Sequence, residues 1–421
     1  MHIVLFEDQA YQNLLPLVYY RPVYDLRCGI TSIKDKIIRN FPKSTITLHA
    51  RNYLTNCLTR DHPSDFINKI PPGIDKVLFI NGRCLTDLPA DKILKYPGKD
   101  SAFVNGKTVV GAWLSRKNLD SLKKVIKERV LDYSDFANLE QEEVETKLIN
   151  YPWDPVSNNG EQLITDFKFL TNENPEQLGD IHQDVTLLNP AQIHISEGAK
   201  LAPGVVIDAD GGPVYIDKNV KILPNAVIEG PAFIGRDSLI KIGAKIYENT
   251  SIGEVCKVGG EVEESIIHAY SNKQHEGFLG RAYLGMWVNI GADTNNSDLK
   301  NDYGNVKVYV NGELIDSGSI SVGLTMGDHS KTGINGMFNT GSNIGVSCNL
   351  YGSGFQPKYV PSFSWGGTDE GLSTYRIDKA IEVARRVMTR RKIEFTAVDE
   401  ELFKSVFELS APMRKKAGIK N

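Results

Sequence analysis

The sequence predicts a chain of three parts: an α/β domain, a parallel β-helix built from six-residue steps, and a helical tail. Three observations carry that expectation. Short apolar runs, such as Ile3-Val-Leu-Phe6 and Lys76-Val-Leu-Phe-Ile80, alternate with segments of helical period in the first part. An aliphatic side chain then recurs at every sixth position through the middle of the chain. Near the end, Ile377, Ala380, Ile381, Ala384, Val387 and Met388 share one helical face. A chain of 421 residues has room for such a division, drawn here at 1–175, 183–372 and 373–421.

In the first part the clearest helical segment runs from Asn118 to Tyr133. Tyr151-Pro-Trp-Asp-Pro-Val-Ser-Asn-Asn-Gly160 is a turn-rich break, and Glu161 to Leu170 is expected to form a helix leading into the repeats. The repeat itself places Ile216, Ile222, Ile228, Ile234, Ile240, Ile246, Ile252 and Val258 six apart without a slip. Ile195, Leu201 and Ile207 precede them, before Gly211-Gly212-Pro213 adds three residues. Leu284 and Ile290 follow, then Ile320, Met326, Thr332, Phe338, Ile344 and Leu350. A step of six is neither helical nor a simple strand alternation. It implies a short strand and a corner repeated identically, each inward side chain stacking on its counterpart one coil away. Glycine after the aliphatic position, as in Ile234-Gly, Ile252-Gly and Ile290-Gly, is expected to relieve the tight corner.

Interruptions of the repeat are expected to leave the coil and to carry function. One lies between Val258 and Leu284, rich in polar groups; another lies between Ile290 and Ile320. In the second, Val306-Lys-Val-Tyr-Val-Asn-Gly-Glu-Leu-Ile315 reads as a hairpin turning at Asn311-Gly312. In the tail, Arg385, Arg386, Arg390, Arg391 and Lys392 gather near a helix C-terminus, where cations suit the helix dipole and where phosphate is a second reading.

The 48 basic and 52 acidic residues leave a formal charge of -4, which recruits neither nucleic acid nor an anionic membrane. Cys28, Cys57, Cys84, Cys256 and Cys348 are scattered and odd in number, which argues against a disulfide framework or structural zinc and for buried thiols in a reducing cytoplasm. No apolar run approaches the roughly 18 residues of a membrane span, and no signal peptide is expected at the start.

The stretch His275-Glu-Gly-Phe-Leu-Gly-Arg-Ala-Tyr-Leu-Gly-Met-Trp-Val-Asn-Ile-Gly-Ala-Asp-Thr294 resembles, without a gap, the His-x-x-Tyr-Leu-Gly-Asp-x-x-Ile-Gly-x-x-x-Asn-Ile-Gly-Ala-Gly-Thr of the bifunctional enzymes that acetylate glucosamine 1-phosphate and then uridylylate it to UDP-N-acetylglucosamine. The order of domains is similar too. The resemblance implies a left-handed β-helix, acetyl-CoA as donor, a homotrimer with its acyl-transfer site between subunits, and sugar phosphate and nucleotide as substrates. His275 matches the family's general base, a role that suits imidazole near neutral pH. Asn289 matches a sugar-contacting Asn, while Asp298 and Leu299 stand where the family has Asn and Tyr, and Phe278 where it has Tyr. The family's phosphate-pairing Lys falls near Glu263, a charge reversal, so Lys245, Lys257 and Lys307 become the candidates for phosphate. Gly333, Gly345 and Val346 fall where final coils present backbone amides to coenzyme A.

The opening, with Leu14-Leu-Pro-Leu17 and Arg21-Pro-Val23, resembles sugar-nucleotide pyrophosphorylases and implies a Rossmann-like nucleotidyltransferase domain. Arg21, Arg27, Lys34 and Asn81 are its candidates for nucleotide binding. Two features depart from the pattern. Glu7-Asp8-Gln9-Ala10-Tyr11 replaces the Gly-rich phosphate loop, and Arg83 replaces the acid that holds magnesium. A magnesium site would then need Asp8, Asp25 or Asp87. The expected activity is acetyl transfer to an amino-sugar 1-phosphate followed by nucleotidyl transfer. One alternative is acyl transfer to another sugar with an N-terminal domain that only binds; a second is a non-catalytic scaffold.

Overall fold

The computed structural model describes residues 1–85 and 96–419. Its first domain is a seven-stranded mixed sheet of order β3-β2-β1-β4-β6-β5-β7. The strands are β1 (His2–Phe6), β2 (Thr45–His49), β3 (Phe66–Ile67), β4 (Lys76–Asn81), β5 (Ser101–Asn105), β6 (Thr108–Ser115) and β7 (Glu140–Glu143). β1 pairs in parallel with β2 and β4, and β2 with β3, which is the half-Rossmann order 3-2-1-4. Every residue of β1 is buried, as expected of a central strand covered on both faces. Its alternation divides two cores: Ile3 and Leu5 face one, while Val4 and Phe6 pack with Leu119, Leu122 and Ile126 of the helix Arg116–Glu128. That helix ends before the expected Tyr133, because Arg129 turns to extended backbone and Leu131 donates to the carbonyl of Glu7.

The helix Asn159–Thr171 joins this domain to the β-helix. Its Asp166 is fully buried and ion-paired with Lys36 and Arg39, and it accepts from the backbone N–H of Ile30 and Thr31. Asn159 reaches the other way, donating to the carbonyl of Asn249.

The β-helix is left-handed, as the family resemblance implied, and its coils have three faces. One is a nine-stranded parallel sheet running from Ile193–Ile195 to Tyr359–Val360, and the second and third begin at Asp180–Ile181 and Thr186–Leu188. Ile195, Ile216, Ile234, Ile252, Ile267, Leu284, Met326, Ile344 and Val360 stack in register along the first face.

Two expectations about the repeat change. The polar stretch after Val258 does not leave the coil: Val262 stacks on Ile246, Ile267 on Ile252, Lys273 on Val258 and Leu279 on Val262. Its corners are shorter there, so the six-residue spacing slips while the faces continue. Ile320, by contrast, is 47% exposed and belongs to the excursion rather than the core. The glycines after inward residues also act differently from the expectation. Several left-handed corners are occupied by Asn or Asp, as at Asn219, Asn225, Asp237 and Asn249, and others by Gly198, Gly204 and Gly243, none of which follows an inward aliphatic residue. Gly253 instead provides room, because a Cβ there would lie 1.8 Å from the carbonyl oxygen of His268 on the next coil.

The hairpin forms as expected, Lys307–Val310 against Glu313–Asp316, with positive φ at both Asn311 and Gly312. The tail consists of helices Ile377–Thr389 and Ala397–Lys416. They fold back: Ile381, Ala384, Leu402, Phe403 and Val406 join one apolar core with Leu54 and Leu58 of the first domain and Trp287 and Phe363 of the β-helix.

Candidate functional site

In an open α/β sheet, ligands bind beyond the carboxyl ends of strands where the strand order reverses, here between β1 and β4. Asp8 follows β1 and Arg83 follows β4. Arg83 is 1% exposed and grips both oxygens of Asp8, Nε at 2.9 Å and Nη2 at 2.6 Å. Asn81 donates to Asp8 and to the carbonyl of Val109, and accepts from the N–H of Arg83. Beside them Glu7 is held by the Arg51 fork at 3.0 and 3.1 Å and accepts from the N–H of Val23. A guanidinium thus occupies the position expected of a metal-binding acid. No group of three metal-ligating side chains occurs among the described residues, and this donor set does not fit magnesium. Asp25 pairs with Lys34 at 3.0 Å, and Asp87 lies outside the described residues.

The expected nucleotide-binding cations are likewise engaged. Arg21, almost fully buried, forms an ion pair with Asp328 of the β-helix. Arg27 pairs with Glu254 at 2.8 Å and donates to the carbonyl of His268. Lys34 contacts His62 as well as Asp25. Arg21 and Arg27 therefore bind the two domains together, which the sequence did not indicate.

On the β-helix, His275 is exposed at the corner between the second and third faces, and its imidazole has no hydrogen-bond partner among the described residues. Its carbonyl is anchored from within by Lys273, which points into the coil, is 2% exposed and donates to the carbonyls of Gly259 at 3.0 Å and His275 at 2.8 Å. Burial lowers the Lys273 ammonium to about 8. Around the next bend, the ring of Phe278 and the carboxylate of Asp298 both lie against Gly280. Asp298 pairs with Arg281 at 3.3 Å, and Leu299 is exposed nearby in sequence. Glu263, in register with Gly280, is raised by burial and then by the negative charges of Asp298 and Glu264. This third face is acidic, the opposite of a phosphate site.

The three phosphate candidates separate. Lys245 pairs with Glu276 at 3.5 Å. Lys307 lies on the hairpin opposite Asp316. Lys257 stands on the second face in register with Asn272, which in turn bridges to Asn289. Asn289 therefore stands on the second face, one coil above Asn272. The expected coenzyme A amides are already engaged in the coil: Gly333 N–H donates to Leu350, Gly345 N–H to Val360, and Val346 N–H to the Ser362 hydroxyl. In this structure their hydrogens serve the stacking of the coils.

Sequence reasoning missed Lys273, Asn272 and Asp328. The first stands at an inward position only after the slipped register is known. Asn272, 17 residues before Asn289, has a signal in the repeat only with that same slip.

Residues 3–174 match the family model of sugar nucleotidyl transferases. The bifunctional GlmU protein of Synechococcus elongatus is 30% identical over 267 residues, which cover 56% of this chain and 55% of the relative. A bifunctional sugar-1-phosphate nucleotidylyltransferase/acetyltransferase of Sulfurisphaera tokodaii is 33% identical over 150 residues, covering 32% and 37% respectively. The chain spans about half the length, or less, of these curated relatives. Among solved structures, a UDP-N-acetylglucosamine acyltransferase covers 57% of this chain and 82% of its own at 14% identity, with a TM-score of 0.28. Residues 3–174 are thus similar to sugar nucleotidyl transferases, the chain resembles bifunctional GlmU proteins over about half of its length, and a hexapeptide β-helix follows the first domain.

Proposed function

We propose that this chain transfers an acetyl group from acetyl-CoA to the amine of an amino-sugar 1-phosphate and, through its first domain, a nucleotidyl group to the product. The observation that carries the reading is the exposed His275 corner within the twenty-residue motif, where the imidazole has no hydrogen-bond partner among the described residues and Phe278 and Asp298 meet at Gly280 on the following strand. In the reaction the amine nitrogen attacks the thioester carbon, the carbon–sulfur bond breaks, and the amine proton passes through His275 to the leaving thiolate. The nearby candidate amides are engaged, so donors for the developing oxyanion come from another strand of chain. A homotrimer, with a second copy closing the corner, supplies them in this reading. Five buried free thiols suit a reducing cytoplasm. No described helix is long and apolar enough to cross a membrane.

The test is release of free coenzyme A when the chain is mixed with acetyl-CoA and glucosamine 1-phosphate. Turnover is expected, and its absence across a panel of amino-sugar phosphates overturns the acyl-transfer reading. The Asp8–Arg83 pair favours a second reading for the first domain, in which it binds a nucleotide sugar without transferring it. Pyrophosphate release from UTP and N-acetylglucosamine 1-phosphate with magnesium decides against that second reading.

A further inference from the structure

The outer surface of the β-helix is divided electrically. On the third face Asp208 is in register with Glu229, Lys245 follows on the next coil, and Glu261 and Glu263 share the coil above it. On the second face the outward row runs Asp180, Lys200, Lys221, Leu239, Lys257, Asn272, Asn289, Lys331, basic or neutral above its first coil. A phosphate that approaches the His275 corner is repelled by one face and attracted by the other.

The upper part of the second row has the build of an anion site. Arg391, just beyond the helix Ile377–Thr389, donates from Nη2 to Asn272 Oδ1 at 2.7 Å. Asn272 Nδ2 donates to Asn289 Oδ1 at 3.2 Å. This relay fixes the carboxamide of Asn289 with its acceptor toward Asn272 and leaves its Nδ2 hydrogens for a ligand oxygen. Lys257 lies one coil below Asn272, and Lys331 one coil above Asn289. Burial, followed by the positive charges of Arg391, Lys241 and Arg390, lowers the Lys257 ammonium.

Among the described residues, no carboxylate lies within ion-pairing distance of Lys241, Lys257, Lys331, Arg390 or Arg391. The contrast with the preceding turn is sharp: Arg385 pairs with Glu400 and Arg386 with Glu382. Like charges held together without a counter-charge repel one another unless an anion joins them. Tyr270 and Trp287, each two residues before its Asn, stack at 4.4 Å and line a cavity of about 360 Å³ with Met388 and Ile393. The cationic row thus borders an aromatic shoulder.

We propose that Lys257, Arg390 and Arg391, together with the Nδ2 of Asn289, bind a phosphoryl group, and that Arg391 and Asn272 are the positioning residues that orient Asn289 toward it. The phosphoryl is that of the sugar acceptor or that of coenzyme A. Which of the two carries it rests on the acyl-transfer reading; the anion site itself does not.

Calorimetric titration of the full chain tests the site without turnover. Inorganic pyrophosphate is expected to bind, and Lys257→Gln or Arg391→Gln each to weaken it about tenfold, the scale of one charge-assisted hydrogen bond. Arg391→Lys, which retains the charge, should lose less, and Lys221→Gln, lower on the same face, should change nothing. Preference for glucosamine 1-phosphate over glucosamine assigns the site to the acceptor, and preference for coenzyme A over its 3′-dephospho form assigns it to the donor. If acyl transfer is measured, Arg391→Gln should raise the KM for the phosphate-bearing substrate with little change in kcat. Pyrophosphate binding without coenzyme A release supports the anion site and removes the acyl-transfer reading. Turnover with unchanged KM in both variants, or pyrophosphate affinity equal in wild type and Lys257→Gln/Arg391→Gln, overturns the site.

Discussion

His275 and Lys273 sit two residues apart and face opposite environments, which makes their predicted behaviours separable. The imidazole is in solvent and supports no packing, so His275→Ala should leave unfolding by urea unchanged while lowering acyl transfer about 10²–10⁴-fold. Lys273 is inside the coil, and burial holds it at about 8. Its unfolded value is near 10.4, so between these two pH values the unfolded chain holds a proton that the folded chain has released. Stability therefore rises with pH through that window, by up to about 3 kcal/mol from this group. Lys273→Met removes the slope. The difference in urea unfolding free energy between wild type and Lys273→Met should grow as pH rises from about 8 to about 10, and a constant difference would show that the ammonium is not desolvated. Neither environment was legible from residue type, because one slip in register decides which side chain turns inward.

At the scale of elements, the close approach of successive coils constrains particular glycines as well as the aliphatic column. Gly253→Ala would drive a methyl into the next coil, whereas Gly243, at φ 64, has open space around its absent Cβ. Gly243→Ala should cost about 1–2 kcal/mol of backbone strain, and Gly253→Ala clearly more, read as urea midpoints. The reverse order would mean that corner conformation dominates coil stacking. The β1 and β4 ends make a second case. Arg83→Met leaves Asp8 without its partner and should destabilise the first domain by about 3–5 kcal/mol, measured by denaturant titration. A smaller loss would mean that Asp8 is solvated and accessible. The strand types and the hairpin were visible in the sequence as apolar alternation and an Asn-Gly turn. The occupation of the strand ends was not, since Arg83 reads equally as a lost metal ligand or as the partner of an acid 75 residues away.

Across the whole molecule the three sequence segments form one folded body. Arg21 and Asp328, 307 residues apart, form a buried ion pair, and Met286 N–H also donates to Asp328. The returning helices add Arg60–Asp399 and the Leu402, Phe403 and Val406 core. Asp328→Ala should therefore lower the stability of both domains by about 3–5 kcal/mol, with calorimetric melting remaining a single transition in the wild type. Two wild-type transitions would show that the interface is weak. The sequence alone determined the class of each part, because hydrophobic period is a local property: a step of six yields coils, and buried apolar runs between helices yield an α/β sheet. Only the tertiary structure decided which polar groups are free. Charges and amides find partners across hundreds of residues, so Arg21, Arg83 and the amides of Gly345 and Val346 are internally engaged, while His275, Lys257 and Arg390 remain available to a ligand.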